Sequence, residues 1–486
     1  MSPSLHELIQ NQRFAKRNIS LPEKAIIYMH KHPTLIKTLK LGSMVLGSIG
    51  FMYPLLNKSF TYQSLSLATC SFSLFSVGCL AHKVLNIIAP PKHSMKHHLI
   101  KTATTRDAQI YYKGDIPILK ITTSDPYRAG FAHGKLLAEN INKLRNSYQL
   151  AMQTLPPLMP FIHTTPKVAK LQKVIQEVKK SLPEKYIKEM QGIVDGYNAW
   201  AKTKYFFVRP KPLTLEEVIL LHLEPDVPHF KHLQTERNLN KATAACSAIV
   251  DKEKDGKIVF GRMMDWPTLG NPDTVVILKQ DPETKIKTAE VSIPGTVFTL
   301  SGMNEHGLSL CMNICYGNTT SVNGLPNALI TKLVLSTAKT SHDVKTILNK
   351  KRYKPLGPFH LICADPKKAS AFFLKQHPKN HCLKESLRET PIVVTNLSKD
   401  PTVEDNVNFA KEREGRIQAL FEFAKKYPRF TKEEVIKECL QLPYVNNILS
   451  AHRIVMIPED RSIELSFDTA YAGTQPMQKL TRADLF

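Results

Sequence analysis

The chain has 486 residues, 42% of them hydrophobic, which exceeds one average domain and can fill a sizeable core. Its net charge of +24 is spread along the sequence without aromatic interleaving or a recognition motif, which argues against a nucleic-acid partner. Eight cysteines, at 70, 79, 246, 311, 315, 363, 382 and 439, include no C-x-x-C pair, and Cys311 and Cys315 read as one face of a core strand rather than a metal site.

Residues 1–100 form a basic N-terminal region. Apolar runs at 41–56 and 65–81 carry no charge and are separated by a short polar piece. Each is a little short for a spanning helix, so a buried core hairpin competes with a membrane anchor. Residues 1–101 hold 12 Lys/Arg against 2 Asp/Glu, mostly outside the two runs. A membrane hairpin would therefore keep both ends in the cytoplasm, with the rest of the chain on the cytoplasmic side. The first run begins some forty residues in, which does not fit a cleavable signal peptide. His93, His97 and His98 lie in the basic run that follows and make weak zinc candidates.

Residues 101–245 read as mostly helical, with helices over 125–150, 165–180, 184–202 and 214–223. Next come two alternating apolar runs, Ala244 to Val250 and Ile258 to Asp265, joined by an Asp255-Gly256 turn. They predict a β-hairpin that brings Cys246 near Arg262 and Asp265. A thiol, a guanidinium and a carboxylate together suit nucleophilic catalysis, because the thiolate attacks and a cation favours it. A lone buried cysteine in a strand is far more often a small core hydrophobe than a nucleophile, so Cys246 alone does not carry the reading.

Farther on, strands are predicted over 274–278, 288–293, 359–364, 371–374, 392–396, 453–457 and 463–467. Helices are predicted over 328–337, 341–350 with a serine start, 409–426, and 431–440 with a threonine start. Asn304 to Gly307 reads as a hairpin turn before a strand ending at Asn313. Asn396 ends another strand, and Glu412, Arg413 and Arg416 open a helix whose charges fit a solvated face. Alternating strands and helices indicate an α/β chain.

The order Cys246, Arg262, Asp265, Asn313, Asn396 and Arg416 resembles that of the N-terminal-nucleophile cysteine amide hydrolases. These include acid ceramidase, N-acylethanolamine acid amidase, bile-salt hydrolase and the penicillin acyltransferases. The stretches Arg128 to Gly134 and Glu189 to Gly196 resemble helical segments of the acyltransferase branch, in which His133 would be structural. The resemblance implies a four-layer αββα sandwich with antiparallel sheets. It implies self-cleavage at Ala245-Cys246, leaving associated chains 1–245 and 246–486. The freed α-amine, titrating near pH 8, would serve as base.

By the same resemblance Arg262 tunes the thiolate, Asp265 orients amine and thiol, and Asn313 and Asn396 bind the carbonyl region. Arg416, preferred over Arg413, buttresses the site. No metal or organic cofactor is implied. The expected substrate is an amide-bearing small molecule or lipid. Acyl transfer to an amine is the alternative within the class, and a membrane-anchored interaction protein without turnover is the alternative outside it.

Overall fold

The computed structural model describes residues 3–10, 12, 15, 100–154, 168–223, 225–226, 245–266, 274–315, 323–351, 353–375, 391–398, 408–443, 445–447, 449–468 and 472–486. The apolar runs at 41–56 and 65–81 lie outside them, as do His93, His97 and His98. Among the described residues no helix is long and apolar enough to cross a membrane. Residues 1–17, 98–268 and 272–486 form one compact unit, which draws on both sides of Cys246.

Fifteen strands are described. In chain order they are β1 (Ala103–Thr104), β2 (Ala108–Lys113), β3 (Ile116–Ile121), β4 (Ala245–Lys252), β5 (Ile258–Asp265), β6 (Val275–Gln280), β7 (Lys287–Ser292), β8 (Ser301–Asn304), β9 (Ser309–Ile314), β10 (Phe359–Ala364), β11 (Ala369–Leu374), β12 (Ile392–Val394), β13 (Ser450–Ile457), β14 (Ser462–Phe467) and β15 (Gln478–Leu480). The described helices are α1 (Leu5–Ile9), α2 (Pro126–Leu136), α3 (Ala138–Thr154), α4 (Val168–Ser181), α5 (Glu184–Lys202), α6 (Leu215–Leu223), α7 (Asn327–Leu335), α8 (Ser341–Lys351), α9 (Asn408–Ala424), α10 (Lys432–Cys439) and α11 (Arg482–Leu485).

The strands build two sheets. One has nine strands in the order β1-β2-β3-β6-β7-β8-β9-β10-β11, the other six in the order β12-β4-β5-β13-β14-β15. The named pairs are antiparallel except β3 with β6, which run parallel across the helical crossover α2–α6. Strands β1 to β3 extend the larger sheet over 103–121, in addition to the strands predicted from the sequence.

The β4–β5 hairpin shows why the fold places Cys246 inward. Strand side chains alternate between faces. Cys246 and Met264 therefore join the core shared with the nine-stranded sheet, whereas Ile249, Val259 and Met263 turn to the opposite face. There they pack against Ile417, Leu420 and Phe421 of α9 and Val435, Ile436 and Cys439 of α10. Gly256 at the hairpin turn has φ +94°, a left-handed conformation that favours glycine. The expected threonine start is present: Thr431 caps α10 in a reciprocal capping box with Glu434. Leu5 and Ile9 of α1 complete that second core cluster.

Close packing also explains the two glycine motifs upstream. Gly130 and Gly134 of α2 face Gly192 and Gly196 of α5, and a Cβ on any of them would land on the backbone of the facing helix. The two helices thus meet backbone to backbone. The contact fixes His133, the residue before Gly134, against the core, where it is 1% exposed.

Candidate active site

The hairpin register pairs Cys246 with Met264 and Ala248 with Arg262. Arg262 is 1% exposed, and its guanidinium is fixed by several partners. Nη1 donates to Ser301 Oγ (2.6 Å) and to His452 Nε2 (3.2 Å). Nη2 donates to the Met312 carbonyl (2.5 Å) and to Cys246 Sγ (3.5 Å). Arg262 thus reaches the thiol as a preset cation.

Burial pushes the Cys246 thiol above its ordinary value. The Arg262 and Arg413 guanidiniums and a hydrogen bond from the Asp265 backbone pull it down, while the Asp265 charge pushes it up. The thiol is therefore protonated at neutral pH. His452 is held well below the ordinary imidazole range by burial and by Arg262. Its Nε2 is turned to Arg262.

The Cys246 amide N–H donates to Asn396 Oδ1 (2.7 Å), while Asn396 Nδ2 donates to the Ile314 carbonyl (2.7 Å). Asn313 Nδ2 donates to the Val394 carbonyl (3.0 Å), and its buried Oδ1 has no hydrogen-bond partner among the described residues. The two asparagines thereby tie β9 to the strand end at β12, with Asn396 directly on the Cys246 nitrogen. Each NH₂ group keeps one further hydrogen beyond the bond described.

Asp265 is fully buried and held by three side chains. Arg413 Nη2 donates to Oδ2 (2.6 Å), Asn447 Nδ2 to Oδ2 (2.8 Å) and Ser450 Oγ to Oδ1 (2.6 Å). Burial raises its carboxyl, and these partners oppose the rise.

Arg413 departs from the expectation. It is fully buried, ion-paired to Asp265 and 3.4 Å from Ser247 Oγ, whereas Arg416 is only half-buried. The reason is helical phase. Ala410, Arg413, Ile417, Leu420, Phe421 and Ala424 fall on one stripe at helical spacing and are all buried. Arg416 lies off that stripe, so Arg413 is the arginine that reaches Asp265. The same stripe was legible in the sequence and selects 413. Asn447, Ser450, Ser301 and His452 carried no comparable signal.

The thiol opens on a cleft of about 380 Å³, its mouth included. Besides Cys246 and Arg262, the walls are Pro225, Met264, Trp266, Ile293, Leu300, Met312 and Ile314. The thiol and the guanidinium are thus the polar groups of an otherwise largely apolar cleft. Cys311 and Cys315 are buried in the core, and among the described residues no cluster of His, Cys, Asp or Glu could hold a metal ion. Asn304 holds its own turn, accepting from the His306 and Leu308 N–H groups, and donates to the Leu335 and Ala338 carbonyls.

Residues 252–442 match the model of a family described as acyl-coenzyme A:6-aminopenicillanic acid acyl-transferase. The matched stretch takes in Arg262, Asp265, Asn313, Asn396 and Arg413 and begins just after Cys246. Among solved structures it is similar to the Caenorhabditis elegans ortholog of N-acylethanolamine-hydrolyzing acid amidase, at 18% identity over 48% of this chain and 100% of that one, with a TM-score of 0.35. It is also similar to a mutant conjugated bile acid hydrolase from Clostridium perfringens, at 14% identity over 49% of this chain and 92% of that one, with a TM-score of 0.31. No curated protein matches it. Of the residues named from the sequence, Cys246, Arg262, Asp265, Asn313 and Asn396 lie together here, and Arg413 rather than Arg416 meets Asp265.

Proposed function

We propose that this protein is a self-processed cysteine amidase acting on a non-peptide amide with an apolar acyl group. The observation that carries the reading is the Cys246 thiol at the base of an apolar cleft, with Arg262 at 3.5 Å and the nitrogen of the same residue held by Asn396 at 2.7 Å. A buried, protonated thiol lacks a base, and cutting Ala245-Cys246 would create one on the nucleophile itself.

In that step Sγ bonds to the Ala245 carbonyl carbon, the carbon–nitrogen bond breaks, and the nitrogen leaves as an amine with the thiol proton. Water then hydrolyses the thioester and frees the Ala245 carboxylate. In turnover, the α-amine takes the Cys246 proton as Sγ attacks the substrate carbonyl and returns it to the leaving amine. Arg262 favours thiolate over thiol. Asp265, fixed by Arg413, Asn447 and Ser450, sets the nucleophile strand. The free N–H hydrogens of Asn313 and Asn396 are the available donors for the developing oxyanion.

The apolar walls favour a long acyl chain, each buried methylene contributing about 0.8 kcal/mol. The acyltransferase family match favours a second reading, in which an acceptor amine replaces water. Residues 41–56 and 65–81 would tether the enzyme to a membrane on its cytoplasmic side.

Intact-mass analysis tests the mechanism. The wild type should appear as chains 1–245 and 246–486 that copurify, and Cys246→Ala as one chain. A fully active uncut polypeptide would sink the mechanism, and an uncut chain with an unreactive thiol would mark a non-catalytic interaction protein. A series of fluorogenic acyl amides, with and without a competing amine, then separates lipid amidase from transferase. Rates that climb with chain length support the first, and flat rates with product capture by the amine support the second.

A further inference from the structure

Two buried histidines lie outside the machinery above, and both act on one connection. The β7–β8 link, residues 293–300, begins at Ile293 and ends at Leu300, and both of these line the Cys246 cleft. Between them the backbone turns at Gly295, whose φ of +87° favours glycine and whose Cβ position faces Ile141 of α3. Within the turn, the Thr296 N–H donates to the Ile293 carbonyl (3.1 Å) and Ser292 Oγ to the Phe298 carbonyl (2.7 Å).

From behind, His133 Nε2 on α2 accepts the Gly295 N–H (2.9 Å) and His222 Nε2 on α6 accepts the Val297 N–H (2.9 Å). His222 Nδ1 donates to the Val218 carbonyl (2.7 Å), which fixes the tautomer that leaves Nε2 free to accept. The His222 ring also meets Phe298 edge-on at 5.4 Å between centroids. Both helices precede the proposed cut, and so does Pro225, which lines the cleft directly.

We propose that two side chains upstream of Cys246 set the width of the cleft from behind its wall. Pro225 forms one wall, and His133 and His222 are positioning residues that hold the Ile293–Leu300 wall at the width an acyl chain requires. The proposal takes its acyl ligand from the amidase reading, but the wall can be probed without turnover. An apolar side chain in place of either imidazole leaves a backbone N–H of the turn without its acceptor, and the turn then relaxes toward other partners. A glutamine can still accept.

The test is alkylation of Cys246 by iodoacetamide and by N-octyl iodoacetamide, mapped by peptide mass. In each case the Sγ–carbon bond forms, iodide leaves and the thiol proton goes to solvent. The wild type should react faster with the octyl reagent. His222→Phe and His133→Leu should lower the octyl-to-parent rate ratio at least fivefold, and His222→Gln and His133→Gln should hold it within twofold. Should the apolar variants fail to fold, His222→Asn replaces them, because its amide stops short of Val297. A wild-type ratio near one, or apolar and glutamine variants that behave alike, overturns the proposal. If these ratios hold in a protein that hydrolyses no acyl amide, the amidase reading falls and the wall assignment stands.

Discussion

Acid should weaken this fold through His133 and His222, by an amount set by their burial. Burial holds their imidazoles down to about 3 and about 4, against an ordinary 6.5. A histidine lowered in the fold binds its proton more readily in the unfolded chain. Its stabilising contribution is therefore complete above 6.5 and is lost as pH falls toward the folded value. At about pH 4.5 each imidazole forfeits about 2–3 kcal/mol, roughly 5 kcal/mol for the pair.

Asp226 works in the opposite sense. Its carboxyl is raised by burial to about 8, so the fold binds a proton there that the unfolded chain has lost. Going from pH 7 to about 4.5 removes that penalty and returns about 3 kcal/mol. The net loss is thus about 2 kcal/mol from these three groups, with His452 adding in the histidine direction. The assay is urea unfolding of the uncut Cys246→Ala chain at the two pH values. Adding His222→Gln should shrink the acid loss by about 2–3 kcal/mol, and Asp226→Asn should enlarge it by about 3 kcal/mol. A His222→Gln chain that loses as much stability as its parent would refute the assignment of a neutral, buried acceptor.

Two further outcomes follow from packing. Arg413→Met leaves Asp265 as a buried charge without its ion pair and should cost about 3–5 kcal/mol and abolish activity, while Arg416→Met should stay within about 1 kcal/mol, both read by urea unfolding and amidase assay. Gly134→Ala and Gly196→Ala should each cost about 1–3 kcal/mol or more by forcing α2 and α5 apart. Gly415→Ala, whose Cβ meets nothing within 4 Å, should gain about 0.5–1 kcal/mol from helix propensity, and thermal melts of the three variants check the contrast.

The readable parts of the sequence were those in which a short period decides the answer. Alternation over Ala245 to Asp265, with Gly256 between, specifies a hairpin and puts a thiol and a guanidinium on neighbouring strands. The stripe from Ala410 to Ala424 likewise specifies which arginine is buried, once Arg413 is counted as part of the apolar face rather than as a solvated charge. What could not be read was contact across the fold. Asn447 and Ser450 meet Asp265 from 182 and 185 residues away, through a β13–β5 pairing that local spacing does not encode. His133 and His222 look like ordinary helix residues until the sheet brings the turn at Gly295 to Val297 against them. Strands β2 and β3 are different, a local antiparallel hairpin about Gly114 whose signal the sequence does carry, and only the parallel pairing of β3 with β6 spans the helical region.

Asn396 offers the sharpest test of how the site works. Its Oδ1 faces an N–H and its Nδ2 faces a carbonyl, the one orientation in which both contacts pair a donor with an acceptor. The amide oxygen therefore orients the Cys246 nitrogen before any cut, and an amine created there would still donate to it. Replacing Asn396 with Asp keeps the acceptor and adds a negative charge. That charge favours the protonated amine, so the acid limb of turnover should move up by about one pH unit, with self-cleavage retained. If oxyanion donation through Nδ2 were the main role, the same change would remove a donor and cost roughly 100- to 1000-fold in rate without moving the profile. A pH–rate profile of Asn396→Asp decides between them, and a uniform loss at an unchanged pH optimum would defeat the orienting role.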